Sequence, residues 1–404
     1  MRLCAMLLSL FWLTSATAEQ PPHLLLISID GYRHDYNALH QPPFLSQFEQ
    51  EAALVKQLVP AYPSKTYPNH LTLITGLRPE NHGIVSNAFY SPELDRDYSL
   101  SDRSAVTDGR FYQGMPLWGL AKQQGMRSAS YFWPGSEGPI AGLQPDYWFP
   151  YQHTERFAKR IDQVVAWFSL PESERPQFVS LYFHQVDTAG HRFGPEAKQT
   201  GDALAKVDAA IAEIHERLSQ LDYPINVVIT GDHGMRDVTA LERIRIDRIL
   251  SQQPALAKRL RLMGTGPLTQ IYLQGENKEA DLAALEQLFA DQAELEFYRR
   301  EAIPLRLRFK GHTAIGDAIV LSNEAYLTTG PSLIRSRGDH GFEPAAVPQM
   351  HTLLMAQGPA FQSGARISQA DNVHVYPLLA DALGLTIHQP IDGDRQVLLP
   401  LLAK

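Results

Sequence analysis

The chain has 404 residues, 44% of them hydrophobic, and a formal net charge of −8. That length and apolar share suit one large α/β enzyme domain carrying an insertion. The acidic balance excludes broad capture of a phosphate backbone, so a nucleic-acid polymer is not the expected partner and any nucleotide chemistry must rest on a local site.

Residues 1–18 read as a signal peptide: Arg2, an apolar run from Leu3 to Leu13, then Ala16-Thr17-Ala18 as a small-residue cleavage signal before Glu19. The expected destination is the periplasm or the cell exterior. The run is too short for an ordinary membrane span and no later stretch is apolar for long enough, so stable membrane insertion is not expected. The only cysteine, Cys4, falls inside this segment. A mature chain without thiols can hold zinc only through oxygen and imidazole nitrogen.

His23 to Ile29 is an apolar run of strand length that stops at Asp30-Gly31. A run without alternation predicts a strand buried on both faces, as in a parallel sheet covered by helices. Asp30 then sits at the strand's carboxyl edge, where open α/β sheets bind ligands. Phe44 to Leu54 has helical spacing and leads through a short strand near Val55–Val59 into Pro63-Ser64-Lys65-Thr66-Tyr67-Pro68-Asn69-His70. Pro68 suits a first helical turn, which puts the Thr66 hydroxyl at a helix start. There it serves as a simple N-cap or as a reactive group beside an anion site.

After Asn87 the chain is polar and irregular through Gly109, which predicts a surface loop bordering the site. A helix over Leu117–Gln124 and a strand over Ser128–Phe132 follow, the latter stopped by Trp133-Pro134-Gly135-Ser136-Glu137. Aromatic residues gather from Tyr147 to Tyr151, and Ile161 to Phe168 reads as an amphipathic helix. Gln177 to His184 is a second buried-type strand that feeds Asp187 and His191. Four residues apart, these can present an oxygen and an imidazole to one metal from a single loop or turn. Thr200 to Leu218 is a helix with an apolar stripe. Ile225 to Thr230 is a third such strand, ending in Gly231-Asp232-His233-Gly234. Three buried strands each running into an aspartate are hard to assign to turn chemistry, because a buried carboxylate needs a counter-charge and a metal ion supplies one.

From about 238 to 332 the composition becomes more charged, with predicted helix at Glu279–Asp291 and strands near Leu268–Leu273 and Ala318–Leu321. This is read as a smaller α+β insertion. Arg306, Arg308 and Lys310 alternate as on a solvated edge strand. Gly338-Asp339-His340-Gly341 then echoes Gly231-Asp232-His233-Gly234, with a last strand over His351–Met355 and a closing helix over Val373–Leu383.

Taken in order, Asp30, Lys65-Thr66-Tyr67-Pro68-Asn69-His70, Asn81-His82-Gly83-Ile84-Val85, Asp187 with His191, Asp232-His233 and Asp339-His340 resemble the nucleotide pyrophosphatase/phosphodiesterase family of the alkaline phosphatase superfamily. The resemblance implies an α/β, alkaline phosphatase-like domain over residues 19–404, with a mostly parallel central sheet and helices on both faces. It implies two zinc ions, one held by Asp30, Thr66, Asp232 and His233, the other by Asp187, His191 and His340. Thr66 is then the nucleophile, forming a phosphothreonine intermediate, and Asn87 stabilises a phosphoryl oxygen. Lys65 is expected to add positive charge on the substrate side. Tyr67 is expected to stack on a base together with Tyr151 or Tyr182, and Trp133 and Glu137 to border the same pocket. Small phosphodiesters and nucleotide pyrophosphates are the implied substrates. A phospholipid head-group diesterase, or a phosphomonoesterase or phosphonate hydrolase of the superfamily, is the alternative. The absence of an arginine just beyond Thr66 to clamp a dianion leans away from the monoesterase. A zinc-stabilised binding protein without catalysis is the alternative of a different class.

Overall fold

Six consecutive apolar or small residues, Leu24–Ile29 (β1), are all buried and form the middle of an eight-stranded sheet. The computed structural model describes residues 22–331 and 336–403, so the expected signal peptide lies outside the described residues. The other strands of the sheet are Ala53–Val59 (β2), Ser128–Tyr131 (β3), Tyr147–Phe149 (β4), Phe178–Phe183 (β5), Asn226–Thr230 (β6), Thr352–Gln357 (β7) and Arg366–Asp371 (β8). Their order is β8-β2-β7-β6-β1-β5-β3-β4. Every pairing is parallel except those of β7, which runs antiparallel to both β2 and β6.

Alternate side chains of β1 serve the two faces. Leu25, Ile27 and Ile29 pack under helices Pro43–Glu51 (α1), Phe157–Phe168 and Lys198–Leu218, while Leu24 and Leu26 join the core under Thr66–Thr75 and Val375–Ala382. Coverage on both sides explains why these strands read as unbroken apolar runs.

Residues 260–321 build a separate antiparallel sheet in the order Leu260–Met263, Leu268–Leu273, Ala318–Leu321, Glu296–Arg299. Helix Lys278–Phe289 packs on it through Leu285 and Phe289.

Two expectations need correction. Residues 88–99 are a hairpin rather than a loose loop, because Phe89, Tyr98 and Phe111 pack together in the main core. Arg306, Arg308 and Lys310 do not lie on a strand: Leu305–Leu307 is a 3₁₀ turn ended by Arg308 in the left-handed region at φ 45°. Strand β8 carries mostly polar residues because it is the sheet's edge, where one side of the strand faces water.

Helix α1 starts at Pro43 with Pro42 before it, so it has no capping side chain of its own. Asp208, buried on Lys198–Leu218, accepts from Leu45 N at 2.7 Å and Phe44 N at 3.3 Å instead. Removing this cap with Asp208→Ala is expected to lower stability by about 1–2 kcal/mol, read as an earlier urea midpoint at unchanged slope.

Candidate active site

Strands β1, β5 and β6 run parallel, so their carboxyl ends reach the same edge of the sheet. Asp30 directly follows β1, and Gly231-Asp232-His233 follows β6. Beyond β5 the chain turns into helix Gln185–Phe193, which presents Asp187 and His191 one turn apart; the expected loop is a helix. Thr66 is the first residue of its helix, with Lys65 as the residue before it. The Gly338 segment returns antiparallel to Arg236–Asp237, and this pairing lays His340 on His233 with ring centroids 3.6 Å apart and planes within 12°. That approach needs glycine, since a Cβ on Gly338 would lie 2.6 Å from the Gly190 carbonyl oxygen.

All seven residues implied as metal ligands therefore meet at one rim. His233 Nε2 stands 3.0 Å from Asp232 Oδ2, 3.5 Å from Asp30 Oδ1 and 3.3 Å from Thr66 Oγ1. Asp187 Oδ1 is 3.3 Å from His191 Nε2 and 3.7 Å from His340 Nε2. Potential ligand atoms also cluster across the two sets, as Asp187-His233-His340, and Asp339, which belongs to neither, joins His191 and His340.

The hydrogen bonding behind these groups fixes what faces inward. His233 Nδ1 points at the Gly234 carbonyl at 2.8 Å, His340 Nδ1 at Ser64 O at 2.9 Å, and His191 Nδ1 at Gly338 O at 2.7 Å. Each Nδ1–H donates to a carbonyl, so each Nε2 turns a lone pair toward the carboxylates. Asp30 Oδ1, Asp187 Oδ1 and Asp232 Oδ2 are buried without a hydrogen-bond partner. Acceptors facing acceptors is an arrangement that divalent cations resolve. Burial first, then the charges of Asp232 and Asp187, push the Asp30 carboxyl well above its ordinary range. Burial, followed by His233 and Lys65, pushes His340 well below the usual imidazole range.

A pocket opens from this rim, lined near Thr66 by Tyr67, Asn87, Trp133, Glu137, Tyr151 and Tyr182. Asn87 Oδ1 accepts from Tyr67 N at 2.9 Å, which leaves its amide N–H groups for the pocket. Tyr182 does more than form a wall: its hydroxyl donates to Asp30 Oδ2. Trp133 is buried with its indole N–H toward the His70 carbonyl at 3.4 Å, so only part of it reaches the pocket. Glu137 is engaged by Arg103 and accepts from Tyr151 N at 3.2 Å.

Lys65 departs from expectation. It does not line the pocket; its ammonium pairs with Asp339 at 3.3 Å and its chain covers Gly341. Burial alone would raise the Asp339 carboxyl, but Lys65 and then His191 outweigh it and hold that group below its ordinary value.

Sequence reasoning passed over His70. It is fully buried behind Thr66, its Nδ1 at 2.8 Å from Thr66 O and 3.4 Å from Asp232 Oδ2, its Nε2 at 2.8 Å from Ser28 Oγ. The available signal was its place one turn after Thr66 on the same helix. His153, His184 and Thr188, which also line the pocket, carried no such signal.

Residues 24–343 match the family described as Type I phosphodiesterase / nucleotide pyrophosphatase. Mouse ectonucleotide pyrophosphatase/phosphodiesterase family member 1 is 33% identical over 404 residues, which covers 96% of this chain but 43% of that protein. The chain thus spans less than half the length of that relative. Bovine bis(5'-adenosyl)-triphosphatase ENPP4 is 32% identical over 380 residues, covering 93% of this chain and 81% of that protein. Among solved structures, murine ectonucleotide pyrophosphatase / phosphodiesterase 5 superposes with a TM-score of 0.86 at 28% identity, covering 94% of this chain and all of that one. An inactive threonine-to-alanine variant of the same mouse protein, in complex with AMP, gives a TM-score of 0.85 at 27% identity, covering 95% of this chain and all of that one.

Proposed function

Because the chain belongs to the type I phosphodiesterase/nucleotide pyrophosphatase family, we propose that it hydrolyses nucleotide phosphodiester and pyrophosphate bonds and releases nucleoside monophosphates. The observation that carries this reading is the Thr66 hydroxyl 3.3 Å from His233 Nε2 on the rim where the carboxylates and imidazoles gather, with an aromatic pocket opening beside it. The names of the relatives agree with it: one is called a bis(5'-adenosyl)-triphosphatase, and another is described with AMP.

Two zinc ions fit the residues present. Asp30, Thr66, Asp232 and His233 would hold one, and Asp187, His191 and His340 the other. The fit rests on the unpartnered carboxylate oxygens and on the three imidazoles whose Nδ1 atoms are each tied to a carbonyl. Bound there, zinc supplies Lewis-acid stabilisation of the negative charge that develops in phosphoryl transfer.

The chain's own part begins with Thr66 Oγ1, which attacks phosphorus in line as the bond to the leaving oxygen breaks. Water then cleaves the phosphothreonine and restores the hydroxyl. Asn87 is held by its bond to Tyr67 N so that its amide N–H donates to a non-bridging oxygen as charge builds. Tyr67 and Tyr151 line the pocket and would flank a base, with Trp133 and Glu137 bordering it. Lys65 takes no direct part; through Asp339 it steadies the segment that carries His340.

Export is proposed from the pattern of Arg2, Leu3–Leu13 and Ala16-Thr17-Ala18. Among the described residues no helix is long and apolar enough to cross a membrane.

Three nitrophenyl esters compared at equal concentration test the substrate reading. The ester of thymidine 5'-monophosphate is expected to turn over fastest, ahead of nitrophenyl phosphocholine and nitrophenyl phosphate. Preference for the phosphocholine ester would instead make this a head-group diesterase, and preference for the simple phosphate a monoesterase.

A further inference from the structure

Arg160, in the first turn of helix Phe157–Phe168, is fully buried, and among the described residues it forms no ion pair. Buried charges are ordinarily paired with an opposite one. Here the guanidinium has two backbone carbonyls instead, that of Tyr182 at 3.2 Å and that of Glu155 at 3.1 Å, while its buried Nε has no hydrogen-bond partner. The Glu155 carboxylate itself goes to Lys159. Around the cation stand the rings of Phe132, Phe157 and Phe183, with centroids 5.4, 5.6 and 5.4 Å from the guanidinium carbon. Ring faces attract a cation, yet an apolar side chain of similar volume would fill this slot with no charge to desolvate. Packing alone does not call for an arginine here.

What Arg160 touches is the back of the catalytic pocket's aromatic wall. Phe132, Tyr151 and Tyr182 all line that pocket, and Arg160 reaches two of them directly, through its ring contact with Phe132 and its bond to the Tyr182 carbonyl. Its second bond, to the Glu155 carbonyl, ties down the segment that leaves β4 through Tyr151. Phe132 is held in the left-handed region at φ 70°, a conformation that a bulky residue keeps only where its surroundings enforce it. The Tyr151 ring lies edge-on to Phe132 at 5.3 Å and stands 6.2 Å from the Tyr182 ring, although the residue is 36% exposed. An exposed ring set between two braced ones takes its direction from behind.

We propose that Arg160 is a positioning residue for the substrate's base: it clamps Phe132 and the Tyr182 and Glu155 carbonyls together, and through them sets the Tyr151 ring at the angle that receives a flat heteroaromatic group. This rests on the nucleotide reading given above. The guanidinium is buried behind the wall, so its loss is felt in KM for a base-bearing diester rather than in the chemistry at Thr66. Lysine keeps the charge but loses the fork that reaches two carbonyls at once.

Steady-state kinetics with two diesters that share one leaving group test this: the nitrophenyl ester of thymidine 5'-monophosphate, and methyl nitrophenyl phosphate, which has no nucleoside. In Arg160→Met the KM for the thymidine ester is expected to rise about tenfold, the scale of one weakened stacking contact, with kcat within about threefold of wild type. For the methyl ester kcat/KM is expected to change by less than about threefold. Arg160→Lys is expected to fall between, with KM for the thymidine ester up about threefold, and it decides the matter alone if the methionine variant does not fold. Equal losses of kcat/KM on the two diesters would overturn the proposal, because general damage to the fold or to the rim does not distinguish a substrate with a base from one without. An unchanged KM for the thymidine ester in both variants would overturn it as well. A wild-type enzyme with no preference for the thymidine ester over the methyl ester would instead remove the base reading itself, and this inference with it, before any variant is compared.

Discussion

Thr66→Ala is expected to lower kcat for diester hydrolysis by at least about 10⁴-fold while the protein stays folded, a loss of about 5 kcal/mol of transition-state stabilisation. The size follows from what is removed. On the proposed mechanism the Thr66 oxygen forms the new bond to phosphorus, and His233 Nε2 stands 3.3 Å from it. Of the other hydroxyls lining the pocket, that of Tyr182 is engaged by Asp30, that of Tyr151 by His153 and that of Thr188 by His184, and a phenol is a poor substitute for an alkoxide nucleophile. Stability should move by no more than about 1 kcal/mol, since Thr66 is the first residue of its helix and its hydroxyl makes one long contact. Thr66→Ser keeps the oxygen and is expected to retain activity within about 100-fold of wild type, losing chiefly the rotamer restriction that β-branching imposes. Single-turnover kinetics and a thermal melt on the same preparations decide the matter: a Thr66→Ala enzyme that kept a tenth of the wild-type rate would remove the covalent mechanism.

Much of this rim was readable before any coordinates, for a physical reason. Residues that must hold a cation at a sheet's carboxyl edge come directly after strands, and strands buried on both faces announce themselves as apolar runs. Asp30 and Asp232 follow β1 and β6 at once, and the glycine-flanked histidines at 233 and 340 repeat one short pattern. What stayed hidden depended on direction rather than order. Lys65 neighbours Thr66 in sequence, yet it precedes the helix with an extended backbone (φ −113°, ψ 157°), so the two side chains leave in different directions. The lysine accordingly turns to Asp339 while the threonine faces His233. His70 and the Tyr182 hydroxyl support the site through the packing of one helix on β1 and β5, a contact that no local pattern encodes. The hairpin at 88–99 went unseen because Phe89, Tyr98 and Phe111 are separated by polar residues and form their cluster only once folded.

Metal removal and Asp30→Asn should move stability in opposite directions. Stripping the protein with a chelator is expected to abolish hydrolysis and lower Tm by about 5–10 °C, with zinc restoring both. At a free concentration about a thousandfold above Kd, each bound ion adds about 4 kcal/mol, and a chain of this length shifts by about 1.2 °C per kcal/mol, so one ion gives about 5 °C and two about 10 °C. The metal-free state is the less stable one because Asp30, Asp187 and Asp232 each leave a buried oxygen without a partner, and burial and mutual repulsion both act against the Asp30 charge. An amide at position 30 removes that charge while its oxygen still accepts from the Tyr182 hydroxyl. Asp30→Asn is therefore expected to raise the Tm of the metal-free protein by about 1–3 °C, since an uncompensated buried charge costs of the order of a few kcal/mol, and to shrink the rise that zinc produces. Differential scanning calorimetry of both proteins, stripped and reloaded, gives four melting temperatures. If stripped Asp30→Asn melts below stripped wild type, the carboxylates are not repelling one another in the way their geometry requires, and a cation is not what that arrangement of acceptors is built to hold.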